Sequence, residues 1–276
     1  MNTNLNNVIE MLESGIQDLF ESTTYKQYLK ICSQYEYSAN NIVLILKQCP
    51  DATLVKSYLD WKKSGVSIKK NEKGIKILVP MHIKKKNVEI LNLDGEDKEK
   101  NEEYIHYKIG YVFDVSQTNL EKIPTLSKEL LTNDDLLRES INDLVKNENN
   151  IFIEDKLIND SCKGYYDPFD NSIHIRNNLS DLHTFKTLIH EKAHSILHKN
   201  SSYKKEVAEI EAESVAYIVC NAFNFDTSDY SFAYIATYAE DKNLDVLKES
   251  LDRIKNTSNI IINWIAANTN LNIISE

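Results

Sequence analysis

The sequence predicts an α+β protein: a helical N-terminal module with a small antiparallel sheet, then a second domain built around a helix carrying the pattern HExxH. Apolar residues at spacings of three and four recur at both ends of the chain. Two runs rich in Ile, Val, Tyr and Phe, GIKILVPMHI and YKIGYVFDV, interrupt them with strand character. Only 6 Gly and 4 Pro occur in 276 residues, which disfavours a loop-rich β-sandwich.

The elements follow in order. Leu5, Val8, Ile9, Leu12, Ile16, Leu19 and Phe20 form one stripe on a first helix. Ser38 is placed to cap NNIVLILKQ, and Pro50 marks its stop. LVKSYLDWKK reads as a short helix ending at Gly65, in the left-handed position that Gly takes at little cost. The two strand-like runs make a hairpin with a long acidic loop, residues 89–103. Pro124 and the polar TNDD place a boundary near residue 125, giving domains 1–125 and 126–276. Beyond it, Ile151 to Glu154 and Ser172 to Ile175 read as strands, with Asp167-Pro168 and Asp170-Asn171 supplying turn chemistry. Helices are predicted over residues 182–198, 204–221, 231–239 and 244–267.

The formal net charge is −10, which taken whole argues against nucleic acid. Its distribution argues otherwise. Residues 47–86 hold eleven lysines against three acids, a net +8, leaving −18 for the remainder. Opposite fields imply separate surfaces with separate partners. Lys62, Lys63, Lys69, Lys70, Lys73 and Lys76 are interleaved with Tyr58 and Trp61, and cations plus aromatic faces are what sequence-tolerant binding of single-stranded DNA requires. No run reaches the roughly 18 apolar residues of a membrane span, and the N-terminus lacks a basic region followed by an apolar run. A cytoplasmic protein without a membrane partner is expected. Cys32, Cys49, Cys162 and Cys220 form no CxxC pair and read as free thiols.

His190-Glu191-Lys192-Ala193-His194 is the sharpest chemical feature. Residues four apart share a helical face, so the two imidazoles can converge on one ion while Glu191 projects toward a water beside it. A second acidic helix follows after the turn at residues 199–203. At about 1.5 Å per residue, Glu209 stands level with His194 across an antiparallel pair, and is the third ligand by that matching. Glu213, one turn on, stands level with His190 and suits a carboxylate accepting that ring's other N–H; the spacing also admits it as the third ligand. Glu211 points elsewhere. His198 extends the face by another turn, as either a fourth polar contact or, in the reading the spacing favours, a helix-terminal residue that suits the dipole. Two His, one Glu and an open position fit a catalytic zinc, with Glu191 as the general base of peptide-bond hydrolysis. Tyr165, Tyr166 and Tyr217 are candidates to stabilise the oxyanion. The strand at Ser172 to Ile175 is the expected edge for pairing an extended peptide. The protein substrate is not specified by these residues.

SANNIVLILKQCPDATLVKSYLDWKKSGVSIKKNEKGIKILVP with VFDVSQT resembles the N-terminal single-stranded-DNA-binding domain of ArdC-type antirestriction proteins. GYYDPFDNSIHI, TLIHEKAHSILH and EIEAESVAYIVC are similar to that family's C-terminal metallopeptidase half, itself similar to the ImmA/IrrE and SprT-like zincins. The resemblance implies a zincin-like second domain in a mobile-element protein that binds incoming single strands and protects DNA from restriction. In the related gluzincin pattern the metal-binding Glu is followed four residues later by a supporting polar residue, which carries onto Glu209 and Glu213. The acidic 89–103 loop departs from the pattern. Two rivals stand beside this reading: a regulatory metallopeptidase that cleaves a repressor, and a DNA-coating shield in which the metal is structural.

Overall fold

The structure, a computed structural model, describes residues 3–20, 22–84, 103–120, 134–155, 157, 161–199, 204–230, 232, 235 and 243–273. The expected acidic loop, the boundary near residue 125 and most of the 231–239 helix lie outside them. The fold is α+β, with two three-stranded sheets among the described residues. Its two compact units are discontinuous in sequence: Met1–Leu12 with Leu44–Glu121, and Glu13–Val43 with Lys122–Glu276.

The chain opens with α1 (Thr3–Leu19), α2 (Ser22–Gln34) and α3 (Ala39–Gln48). Val8, Leu12, Ile16 and Leu19 of the predicted stripe are buried. The Ser38 hydroxyl accepts the Asn41 N–H at 3.4 Å, which caps α3.

In the first unit the predicted helix over LVKSYLDWKK is shorter than expected. Val55–Ser57 is a strand, β1, and only Tyr58–Lys63 is helical, α4. Ser57 explains the break, because its hydroxyl accepts the Asp60 N–H at 3.2 Å and its own backbone is extended. β2 (Ile75–Lys84) and β3 (Glu103–Asp114) form the predicted hairpin, and β1 adds to β3, all antiparallel. Ile75, Ile77, Val55 and Val112 are buried with Trp61. Asp114 is buried and saturated: one carboxylate oxygen accepts the N–H groups of Thr53 and Leu54 at 2.8 and 3.0 Å, the other that of Ser116 at 2.9 Å. Gly65, at φ +73°, takes the left-handed position after α4.

The second unit contains α5 (Asp134–Asn147), β4 (Ile151–Glu154), β5 (Gly164–Asp167), β6 (Ser172–Arg176), α6 (Asp181–Leu197), α7 (Lys205–Ala222) and α8 (Leu244–Asn268). The sheet order is β4-β6-β5, with β4 parallel and β5 antiparallel to β6. This corrects the expected edge: Ser172 to Ile175 lies in the central strand, paired on both sides, and β5 is the outer strand beside α6. Ser180 caps α6 by accepting the His183 N–H at 3.3 Å. Helix α7, buried along most of its length, packs against α2, α6 and α8. The Tyr25 and Ser214 hydroxyls meet at 2.9 Å, and Lys255 of α8 donates to the carbonyls of Cys32 and Tyr35 at 2.6 and 2.8 Å.

Candidate metal centre and nucleic-acid interface

HExxH lies on α6 and the second acidic series on α7, so the helical pair brings their side chains together. His190 Nε2 and His194 Nε2 are 3.1 Å apart. The Glu209 carboxylate lies 3.3 Å from the first and 3.7 Å from the second. Two ligand atoms each about 2.05 Å from a tetrahedral ion stand about 3.3 Å apart, so the three separations are compatible with a shared divalent metal. Glu213 takes the other side of His190, with its carboxylate 3.3 Å from Nδ1. Among the described residues, His190, His194 and Glu209 are the group whose donor atoms converge in this way.

The electrostatics follow from that crowding. Burial alone would lower the His190 pKa, but the Glu209 and Glu213 carboxylates outweigh it and carry it up to about 10. The imidazolium, with His194, holds Glu209 well below the usual carboxylate range. Glu191 is buried, which raises its carboxyl above the ordinary value against the opposing charges of His190 and His194. β5 lies against it: a Cβ on Gly164 would stand 3.4 Å from the Glu191 Cγ. Gly164 makes this approach possible: a Cβ there would stand 2.5 Å from Thr187 Cγ2 on α6 and 2.9 Å from the His174 carbonyl oxygen.

A cleft of about 400 Å³ opens at the site, within the size range of ligand pockets. Gly164, His183, Lys186, His190, Glu191 and Tyr230 are among its walls. The three tyrosines that were candidates for the oxyanion role are not among the residues lining the cleft. Tyr165 stacks on His174 at 4.7 Å, the Tyr166 hydroxyl donates to Asn171 at 3.1 Å, and Tyr217 packs edge-on against Tyr230 and Phe232. Tyr230, which sequence reasoning missed, lines the cleft with its ring under the Lys186 ammonium at 5.2 Å.

Behind His194 lies a chain of which the sequence reading raised only His198, as a further polar contact. His194 Nδ1 meets His198 Nδ1 at 2.9 Å, and His198 Nε2 lies 3.2 Å from Glu211. Glu211 is fully buried and accepts from Ser250 at 2.7 Å and from Arg253 at 2.6 Å, both on α8. His198 therefore serves more than the helix dipole.

In the first unit, Lys62, Lys63, Lys69, Lys70 and Lys73 are exposed and Lys76 is half-buried. Lys63 pairs with Asp60 at 3.0 Å, and Lys69 donates to the Ser116 carbonyl at 2.8 Å. Tyr58 is 54% exposed, but Trp61 is 2% exposed and donates its indole N–H to the Phe113 carbonyl at 2.8 Å. The expectation that Trp61 offers a face to a base is thus corrected: it anchors α4 to β3. Besides Tyr58, accessible rings among the described residues of this unit are on β3, where Tyr107 and Tyr111 share the outer face with Ile105. Lys76 stands opposite Tyr111 in the ladder. A Cβ on Gly74 would lie 3.0 Å from Tyr111 Cβ, so the turn carrying Lys73 lies against that ring.

Residues 2–113 match the family described as the N-terminal domain of anti-restriction factor ArdC. An uncharacterized protein of Bacillus anthracis is 28% identical over 268 residues, 83% of this chain. The chain spans 45% of that relative's length. The metal-free crystal structure of the antirestriction ArdC protein from the R388 plasmid superposes with a TM-score of 0.50 at 18% identity, covering 84% of this chain and 86% of that one. Its Mn(II)-bound structure gives 0.49 at 17%. The metal-free likeness shows a shared fold.

Proposed function

We propose, for a chain of ArdC type in its N-terminal family and its fold, an antirestriction protein of a mobile element that binds single-stranded DNA through its basic unit and hydrolyses a peptide bond at a zinc centre in the other. One observation carries the enzymatic half: His190, His194 and Glu209 converge at metal-ligand spacing with the Glu191 side chain buried beside them. Three protein donors among the described residues, against the four of a closed structural site, favour catalysis over the shield in which the metal only holds the fold.

A zinc ion bound there supplies Lewis acidity toward a substrate carbonyl. His190 and His194 present their Nε2 atoms, and Glu213 orients the His190 ring by accepting its Nδ1–H. Glu191 takes a proton from the attacking water and returns it to the amine leaving group, a task suited by a carboxyl raised through burial. β5, as the outer strand of the sheet beside the cleft, is the element against which an extended peptide pairs.

The test is Glu191→Gln. Zinc content should stay at the wild-type level, while hydrolysis in a peptide-library screen falls by about 10²- to 10⁴-fold. Purified protein without zinc, or a Glu191→Gln enzyme as active as wild type, would overturn the assignment. Protection of incoming DNA by the same variant in restricting cells separates the peptidase from the shield, since a shield keeps its effect.

A further inference from the structure

The lysines of the basic unit divide by what already holds them. The Lys63 ammonium is paired with Asp60, and that of Lys69 donates to the Ser116 carbonyl. Lys70 and Lys73 are exposed, and among the described residues nothing pairs with either ammonium. Both stand on one turn, residues 69–74. The Glu72 N–H reaches back to the Lys69 carbonyl at 3.4 Å, and Asn71, at φ +70°, takes a left-handed position that Asn tolerates. Gly74 ends the turn against the exposed ring of Tyr111. The closing bond is long, so by itself it holds the turn loosely.

Gln117, in the segment VFDVSQT, supplies the rest. Its carboxamide oxygen accepts the Asp114 N–H at 3.0 Å, which closes the capping box of the short 3₁₀ turn Val115–Gln117. Its Nε2 donates to the Lys73 carbonyl at 2.8 Å and to the Glu72 carboxylate at 3.1 Å. A backbone N–H can only donate and a carbonyl can only accept, so this amide has one orientation. The main chain repeats the tie, because the Gln117 carbonyl accepts the Lys69 N–H at 2.8 Å. One residue thus grips the lysine turn at both ends.

We infer that Gln117 is a positioning residue for nucleic acid: it holds the Lys70–Lys73 turn as a preformed phosphate site beside Tyr111. For its purpose this rests on the single-stranded-DNA reading of the basic unit. Two long side chains on a fixed turn lose less freedom on binding than the same two on a loose one. Removing the tie leaves both charges in place, so it changes affinity and not the number of phosphates neutralised.

Fluorescence anisotropy of the full chain with a labelled oligothymidylate, across a salt series, tests this. Gln117→Met keeps the length of the side chain and removes its donor and acceptor. Binding should weaken about 5- to 10-fold, with the slope of log affinity against log salt unchanged. Replacing Lys70 and Lys73 together by Ala should lower that slope by about 1.4. Adding Gln117→Met to that pair should then cost less than about twofold. A merely structural Gln117 would cost the same factor in either background, and that result, or wild-type affinity in Gln117→Met, overturns the inference. Should Gln117→Met fail to fold, Asn71→Pro decides, since it forces the exposed turn out of its positive φ and leaves Gln117 in place. It should give the same loss at an unchanged slope, and wild-type affinity there overturns the inference. A wild-type chain that binds no oligonucleotide ends the DNA reading instead. Trypsin then still reads the anchor: cleavage after Lys70 and Lys73 is faster in Gln117→Met than in wild type if Gln117 holds the turn, and equal if it does not.

Discussion

At the scale of single residues, His190 is the most contested atom group in the protein. Its two ring nitrogens face two carboxylates, each at 3.3 Å, which makes the doubly protonated ring the resting form without metal. Its folded pKa is raised from 6.5 to about 10, so the pairing stabilises the metal-free fold fully below 6.5 and is lost as pH rises toward 10. A metal must displace the Nε2 proton. Zinc affinity should therefore rise about tenfold per pH unit from neutrality upward and flatten near pH 10, with a proton released on binding. Chelator-competition titrations at three pH values check the slope, and a flat response would refute the coupled site. The positions of Glu209 and Glu213 were legible because rise per residue fixes which side chains stand level across an antiparallel helical pair. The Glu211 chain was not: it turns away from the metal helix toward Ser250 and Arg253, partners some forty residues on that no local spacing announces.

At the scale of elements, the hairpin shows what pattern reading captures and what it loses. The strand character of GIKILVPMHI and YKIGYVFDV, and the alternation that buries Ile75 and Ile77, were in the sequence. Which aromatic residues face solvent was not, because Trp61 in a lysine-rich segment and Tyr111 in a strand both read as amphipathic. Burial of Trp61 under the Phe113 carbonyl decides the first, and the register opposite Lys76 decides the second. Tyr107 and Tyr111 stand about 14 Å apart along one strand face, far enough to stack separate bases. Replacing either by Ala should weaken binding of a single-stranded oligonucleotide about 5- to 150-fold, the equivalent of about 1–3 kcal/mol per stacked base, while leaving its salt dependence unchanged. Replacing an exposed lysine such as Lys70 should instead lower the slope of log affinity against log salt by about 0.7. Fluorescence anisotropy across a salt series separates the two, and tyrosine variants that bind as wild type would remove the stacking face. Other elements were lost for length and chemistry. β5 is four half-buried residues, too short to show alternation. α2 turns its buried face inward through Tyr25 and Tyr28, residues that pattern reading scores as strand-like.

At the scale of the whole molecule, linear order and packing disagree, and the disagreement is testable. A cut near residue 125 respects the sequence but removes residues 13–43 from the unit they belong to. In that unit α2 lays Tyr25, Tyr28, Leu29, Ile31 and Cys32 into the core, all at most 3% exposed. At about 1.5–3 kcal/mol for each large buried side chain, their loss amounts to about 7.5–15 kcal/mol, as much as the whole stability of a typical domain. The same cut leaves the Ser214 hydroxyl without Tyr25 and the buried Lys255 ammonium without its carbonyls. A fragment of residues 126–276 should therefore show no cooperative thermal transition and should bind a hydrophobic dye, even with all of the HExxH helix present. Joining residues 13–43 to residue 122 through a flexible linker should restore a cooperative melt and zinc-dependent stabilisation. If the fragment 126–276 melts cooperatively by itself, α2 is dispensable and the second unit is contiguous after all. If the linked chain melts cooperatively while the fragment does not, the HExxH helix depends on a segment encoded before the basic unit, and the two units cannot be separated by one cut.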